Sequence, residues 1–220
     1  ANDRGFETYI GFFDRKIIKK ILKKYDKPDL IVASSVVTHL ENPIKFSKDI
    51  KNFIRKDGTL IIEIEYLQNF LKNLEFERFY FDRPFYYSAN SINKLFKNVG
   101  MTLYDIEKID VHGGSLRCFI KNSLRPKITN KCKKILNDEK QNLNINSFKK
   151  FNKQIYLNSK ILKDQLISFN KRGLNIIGYG SPARVSTITN VGKINSNLIN
   201  YIIDDSPLKQ NRYSPGMHIK

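Results

Sequence analysis

His112 stands in Val111-His112-Gly113-Gly114-Ser115, and an imidazole with an ordinary pKa of about 6.5 can take a proton at neutral pH. Asp82 and Glu65 follow it as candidate bases. Arg83 cannot serve as one, because a guanidinium stays charged, but it can bind a phosphate or carboxylate. Farther along, Gly178-Tyr179-Gly180-Ser181 lies between a strand pattern and a helix pattern. Glycines there let a phosphate approach the backbone N–H groups of a helix start. Each feature also has a plainer reading. His112 can be a turn histidine placed by two glycines, Asp82 and Arg83 a loop ion pair, and residues 178–180 a tight structural turn.

The elements that must position these residues follow from pattern. Residues 14–25 carry apolar side chains at 17, 18, 21, 22 and 25, the recurrence of an amphipathic helix. The apolar run 29–33 after Pro28 predicts a buried parallel strand. Residues 43–54 predict a second helix, with Pro43 in its first turn and Asp57-Gly58 closing the loop behind it. A strand is predicted at 59–65, and Ser88 can cap a helix running to Val99 and ended by Gly100. Residues 102–109 and 115–121 predict two strands joined by a tight turn at His112-Gly113-Gly114. After Pro126 the chain is polar and rich in Lys and Asn. Phe148, Phe151, Ile155, Leu162 and Leu166 form the apolar stripe of one or two helices over 127–170. The run 174–184 then predicts strand, glycine turn and helix, and 198–204 a further strand ending at Asp204-Asp205. This order is that of an α/β chain, and several doubly wound folds share it.

Bulk properties narrow the partners. The chain has 220 residues, 40% of them hydrophobic, and a formal net charge of +18. Its basic residues are spread over helix faces, as in Arg15-Lys16, Lys19-Lys20 and Lys23-Lys24, and are not gathered on one stripe with interleaved aromatics. A solvated surface is therefore expected and no nucleic-acid partner, while the field remains suited to an anionic ligand. No apolar run approaches the roughly 18 residues of a membrane span, so no membrane partner is expected. Cys118 and Cys132 are too few for a disulfide framework or a zinc site, and with no signal-peptide pattern a reduced cytoplasm is expected. The chain starts at Ala1 without Met and stops after Ser214-Pro215-Gly216-Met217-His218, and it reads as a piece of a longer protein.

Four stretches carry a resemblance: Glu63-Ile64-Glu65-Tyr66, residues 76–88 (Phe-Glu-Arg-Phe-Tyr-Phe-Asp-Arg-Pro-Phe-Tyr-Tyr-Ser), His112-Gly-Gly-Ser-Leu-Arg117 and Gly178-Tyr-Gly-Ser-Pro-Ala-Arg184. With Asp204-Asp-Ser-Pro-Leu-Lys-Gln210 and Tyr213-Ser-Pro-Gly-Met-His218, they resemble the sugar C-methyltransferases over nearly the whole chain. The resemblance implies the second half of a class I, Rossmann-like methyltransferase domain (1–123), a helical linker (124–170) and the start of a second Rossmann-like domain (171–220). It implies methyl transfer from S-adenosylmethionine to a nucleotide-linked 4-keto sugar, by way of an enolate. The main donor loop is expected upstream of Ala1, so the fragment itself is expected to be inactive. Zinc is expected only in a segment farther upstream, if such a segment is present.

Site residues are implied one by one. For catalysis these are His112, Tyr80, Asp82, Arg83 and Glu65. For the methyl donor they are Phe12, Phe13, Ala33, Ser34, Ser35 and His39. For the nucleotide-sugar they are Tyr66, Arg117, Tyr179, Gly180, Ser181, Arg184, Asp204 and Lys209. The family usually has a base histidine where this chain has Arg83. Two other readings therefore stand beside C-methylation: methylation of a sugar hydroxyl, and a sugar-nucleotide-binding protein that has lost methyl transfer.

Overall fold

The computed structural model describes residues 2–220 and contains, in chain order, α1 (Arg15–Ile21), β1 (Leu30–Ser34), α2 (Pro43–Phe53), β2 (Thr59–Glu65) and α3 (Leu67–Asn73). There follow α4 (Ala89–Lys97), β3 (Thr102–Ile109), β4 (Ser115–Lys121), α5 (Asn130–Asn142) and α6 (Ile145–Lys171). The chain closes with β5 (Ile177–Tyr179), α7 (Ala183–Gly192) and β6 (Tyr201–Ile203). Several boundaries are set by side chains visible in the sequence. Asp14 caps α1 by accepting from the N–H groups of Lys16 and Ile17. Asn42 caps α2 ahead of Pro43. Ser88 and Ser91 form a reciprocal capping box at α4.

The elements fall into two compact units. One comprises the chain up to Tyr66 with Pro84–Gln141, and the other Leu67–Arg83 with Asn142–Lys220. The structure thus divides the chain differently from the expected boundaries at 123 and 170. Helix α5 belongs to the first unit and α6 to the second.

In the first unit a mixed sheet runs in the order β1-β2-β4-β3, with β1 and β2 parallel and the other two pairings antiparallel. Alternation along β2 sends Leu60, Ile62 and Ile64 into the core, against Phe46 and Ile50 of α2 and Ile92 and Phe96 of α4. Strand β1 departs from expectation. Its apolar run predicts burial, yet Leu30 is 55% and Val32 61% exposed, because β1 pairs with β2 alone among the described residues.

One interaction in this unit has no sequence signature. Glu139 of α5 is 1% exposed, and its carboxylate accepts from the N–H of Ala89 (2.5 Å) and of Asn90 (2.8 Å) and from the Asn90 side-chain amide (2.8 Å). It thereby satisfies the first turn of α4, whose N–H groups have no partner inside the helix.

The second unit contains the short parallel pair β5-β6, linked through α7 as a β-α-β unit. Segment 67–83 packs here: Phe79 meets Phe70 and Phe151 edge-on, and Thr187 Oγ1 donates to the Phe79 carbonyl (3.3 Å). Of the expected stripe on α6, Ile155 and Leu166 are buried, whereas Phe148 and Leu162 remain partly exposed. No helix among the described residues is long and apolar enough to cross a membrane.

Replacing Glu139 by Ala leaves buried N–H groups unsatisfied and should cost about 2–4 kcal/mol of stability in urea unfolding. Glu139→Gln, which keeps one acceptor oxygen, should lose less. Equal losses in the two variants would show that side-chain volume, not hydrogen bonding, is what Glu139 supplies.

Candidate functional site

Register gathers polar side chains at one edge of the first unit's sheet. Ser34 lies opposite Glu63, Glu63 opposite Arg117, and Glu65 opposite Ser115. The carboxyl ends of β1 and β2 therefore meet the start of β4, the end of a parallel pair at which α/β folds bind ligands. Glu63 is the hub. It accepts from Ser34 Oγ (2.5 Å) and from Arg117 Nε (2.8 Å), and the other face of Arg117 reaches Glu107 at 3.4 Å. The Ser34 hydroxyl first, then Arg117, hold the Glu63 carboxyl below the usual carboxylate range, with a smaller contribution from His112. Just before β4, the exposed His112 has a φ of +53° and is followed by Gly113 and Gly114, both at positive φ. Three consecutive left-handed residues make a tight turn that presents the imidazole outward, and the histidine there is held in a strained conformation.

The second unit holds a cavity of about 1120 Å³, lined among others by Tyr80, Asn190, Tyr201, Lys209, Arg212 and Tyr213. Ser181, at the end of the glycine turn, lines it too, but the N–H groups of Gly180 and Ser181 are already used. Gly180 donates to the Ile203 carbonyl (2.7 Å) and Ser181 to the Asp204 carboxylate (2.7 Å). The same carboxylate accepts from the Ser206 N–H (2.9 Å) and from Lys209 Nζ (3.1 Å). These bonds, the Ser181 N–H first, pull Asp204 from 3.8 down to about 2. Arg83 stacks its guanidinium over the Tyr80 ring at 5.2 Å, and Arg184 lies 3.9 Å from Glu77.

Two sequence families map onto these regions. The C-methyltransferase C-terminal domain matches residues 110–220, and a methyltransferase domain matches residues 3–106. The chain belongs to the C-methyltransferase family. It is similar to the C-methyltransferase NovU of Streptomyces niveus, 24% identical over 226 residues that cover 100% of this chain and 53% of that protein. The chain thus spans about half the length of the curated relative it matches. Among solved structures, the magnesium protoporphyrin IX methyltransferase ChlM of Synechocystis PCC 6803 with bound SAH aligns over 47% of this chain and 48% of its own. Its TM-score is 0.36 and its identity 14%. A SAM-dependent methyltransferase of Methanosarcina mazei aligns over 46% of this chain and 61% of its own, with a TM-score of 0.37 and 11% identity.

Against this geometry several expected family sites change character. Tyr66 is corrected from a substrate contact to a core residue. It is 1% exposed, and burial, with a hydrogen bond to Glu139, pushes its hydroxyl pKa up. Arg117 spans two carboxylates and is not a free anion binder. The glycine turn, expected to lend N–H groups to a phosphate, spends those of Gly180 and Ser181 internally. Asp204 and Lys209 bind each other, while Tyr179 is exposed at the end of β5. Of the donor set, Phe12 is 92% exposed, whereas Phe13 packs on Phe46 and Phe53. Ala33 is half-buried, Ser34 bonds Glu63, and Ser35 and His39 are exposed just beyond β1. Glu65 ends β2 half-buried and Asp82 is exposed. Sequence reasoning missed the hub role of Glu63, although Glu63 and Arg117 both lie within motifs it had singled out. It also missed Arg212, and it placed Tyr201 in a strand and Tyr213 in a motif without assigning either to the cavity they line.

The depressed Asp204 gives a signed pH dependence. Its contribution is fully present above about pH 4, the ordinary carboxylate range, and is lost as pH falls toward about 2. The stability difference between wild type and Asp204→Asn should therefore stay constant from neutrality to about pH 4 and shrink below it. A difference unchanged down to about pH 2 would mean that the charge of Asp204 contributes nothing.

Proposed function

We propose that this chain is part of an S-adenosylmethionine-dependent C-methyltransferase of the cytoplasm that acts on a nucleotide-linked 4-keto sugar. The observation that supports the reading best is the cavity in the second unit, which joins tyrosine rings to cationic side chains and is lined mostly by residues that match the C-methyltransferase C-terminal domain. A nucleotide needs that pairing, a planar face for the base and cations for the phosphates. The surplus of 39 basic over 21 acidic residues adds a field that favours such an anion.

Around β1 the residues fit the rim of a donor site. Phe12 offers an exposed ring, and Ser35, at φ +54°, turns the chain sharply at the strand's carboxyl end. Phe12, Ser35 and His39 would contact the donor there. When bound, S-adenosylmethionine supplies an electrophilic methyl group on a sulfonium sulfur.

His112 is the base in this reading. A ketone at C-4 acidifies the C-3 hydrogen, the imidazole takes that proton, and the electron pair left behind is the enolate nucleophile. Arg83 stays cationic and acts by charge, on a phosphate of the nucleotide. That same charge favours a second reading, O-methylation, in which His112 deprotonates a hydroxyl and no enolate forms.

Incubation of the full-length protein with a 4-keto sugar nucleotide in deuterated water, without and then with S-adenosylmethionine, tests both. C-methylation predicts exchange of the C-3 hydrogen, read by NMR, and a fall of roughly 100-fold or more in His112→Asn. Undiminished exchange in that variant would remove His112 as the base and leave Asp82 or Glu65. Absence of exchange in the wild type, with the methyl found on oxygen, establishes the second reading.

A further inference from the structure

We infer that the anionic group of the ligand held in the second unit is met by Arg212, and that the Gly178–Ser181 turn takes no part in binding it. The inference rests on the nucleotide-sugar reading above and goes further by assigning the residue. Three observations carry it.

The turn is already occupied by an anion of the protein's own. Gly180 and Ser181 donate to Ile203 and to Asp204, and Pro182 has no N–H to give. A phosphate approaching these groups would have to displace the Asp204 carboxylate, and beforehand would meet its negative charge.

Two cations near the turn are engaged as well. Lys209 is bonded to Asp204 at 3.1 Å, and Arg184 lies 3.9 Å from Glu77. Arg212 lines the same cavity, is exposed, and has no carboxylate partner among the described residues. A guanidinium offers a planar fork that matches two phosphate oxygens, and Tyr213 and Tyr201 line the cavity with it.

The loop that carries Arg212 is fixed at both ends. At its start Asp204 accepts from Ser206 and Lys209, while the Gln210 amide donates to the Asp204 carbonyl (3.3 Å). At its end the Asn190 amide donates to the Pro215 carbonyl (3.0 Å), and Ser214 N–H donates to the Ile219 carbonyl (2.8 Å). Gly216 has a φ of +83°, and a Cβ there would fall 2.1 Å from Asn190 Oδ1, so this docking requires glycine. Arg212 is therefore presented by a held loop, and binding need not first order it.

Calorimetric titration of UDP and TDP into wild type, Arg212→Gln and Lys209→Ala, with amide NMR of Gly180 and Ser181, tests the assignment. Arg212→Gln should weaken binding by about tenfold or more at an unchanged melting temperature, since the residue is exposed. Lys209→Ala should stay within about threefold of wild type, because Lys209 is an exposed partner of Asp204. The Gly180 and Ser181 amides should hold their positions throughout. Wild-type affinity in Arg212→Gln, or the largest amide shifts at Gly180 and Ser181, overturns the assignment and leaves the nucleotide reading standing. Failure of the wild type to bind either nucleotide at millimolar concentration overturns the nucleotide reading itself, and the assignment with it.

Discussion

The insertion of β4 between β2 and β3 is the constraint on which the first unit's chemistry depends. Because β4 runs antiparallel to both neighbours, the turn before it arrives beside the carboxyl end of β2. That is how His112, forty-nine positions along the chain from Glu63 by numbering, comes to influence the Glu63 carboxyl. The register is held from both faces of the sheet. On one face Glu63, Arg117 and Glu107 stand opposite each other on three successive strands; on the other Ile62, Cys118 and Ile106 do the same in the core. A slip by one residue would carry the charges inward and the apolar side chains outward, so both faces oppose it. Each cross-strand pair contributes only about 0.2–1 kcal/mol, and the apolar face supplies most of the register's energy. The charged triad contributes direction: it fixes where Arg117 and Glu63 point.

Carboxylates do the same physical work in each unit. Glu139 satisfies the first N–H groups of α4, and Asp204 satisfies the N–H of Ser181 and Ser206. Both put a negative charge where backbone N–H groups converge, which is where an external anion would otherwise be favoured. A carboxylate tethered by its own chain has little freedom left to lose, so it occupies such a position ahead of a dissolved phosphate. The glycine turn of the second unit keeps the shape of an anion site while its own aspartate fills it.

What was legible in the sequence follows from how local the cause is. Strand limits at 59–65, 102–109 and 115–121 come from alternation and flanking turns, and they match the structure residue for residue. Helix starts at α1, α2 and α4 were legible because Asp14, Asn42-Pro43 and Ser88 act within one turn of themselves. The burial of β1 was misread because an apolar run reports preference, whereas exposure depends on which strands pair beside it. The role of Glu139 was invisible for a similar reason. It sits in a polar helix, and only the fold brings it to Ala89 and Asn90, about fifty positions earlier. The site residues were found as types and missed as pairings: Arg117, Asp204 and Lys209 stood out in the sequence, but which side chains they bind did not. Arg212 entered only when the cavity was seen.

The charge balance explains why those pairings matter. With 39 basic and 21 acidic residues, carboxylates are the scarce partner, and many are committed inside the structure. Asp49, 2% exposed, takes both Arg15 and Lys45; Glu63 takes Arg117; Glu75 takes Arg78 against the Phe70 ring. An ion pair with one exposed partner, such as Lys209–Asp204, is individually weak, yet Asp204 is also bound by two backbone N–H groups and does not follow its lysine elsewhere. A basic surplus by itself therefore does not mark a binding site, because most cations remain bathed in solvent. It becomes selective where a cation is held on a fixed loop, faces a cavity with aromatic walls and has no acid to neutralise it. Among the described residues of the second unit Arg212 meets those three conditions, and the acidic residue nearest to it in sequence, Asp205, is seven positions away.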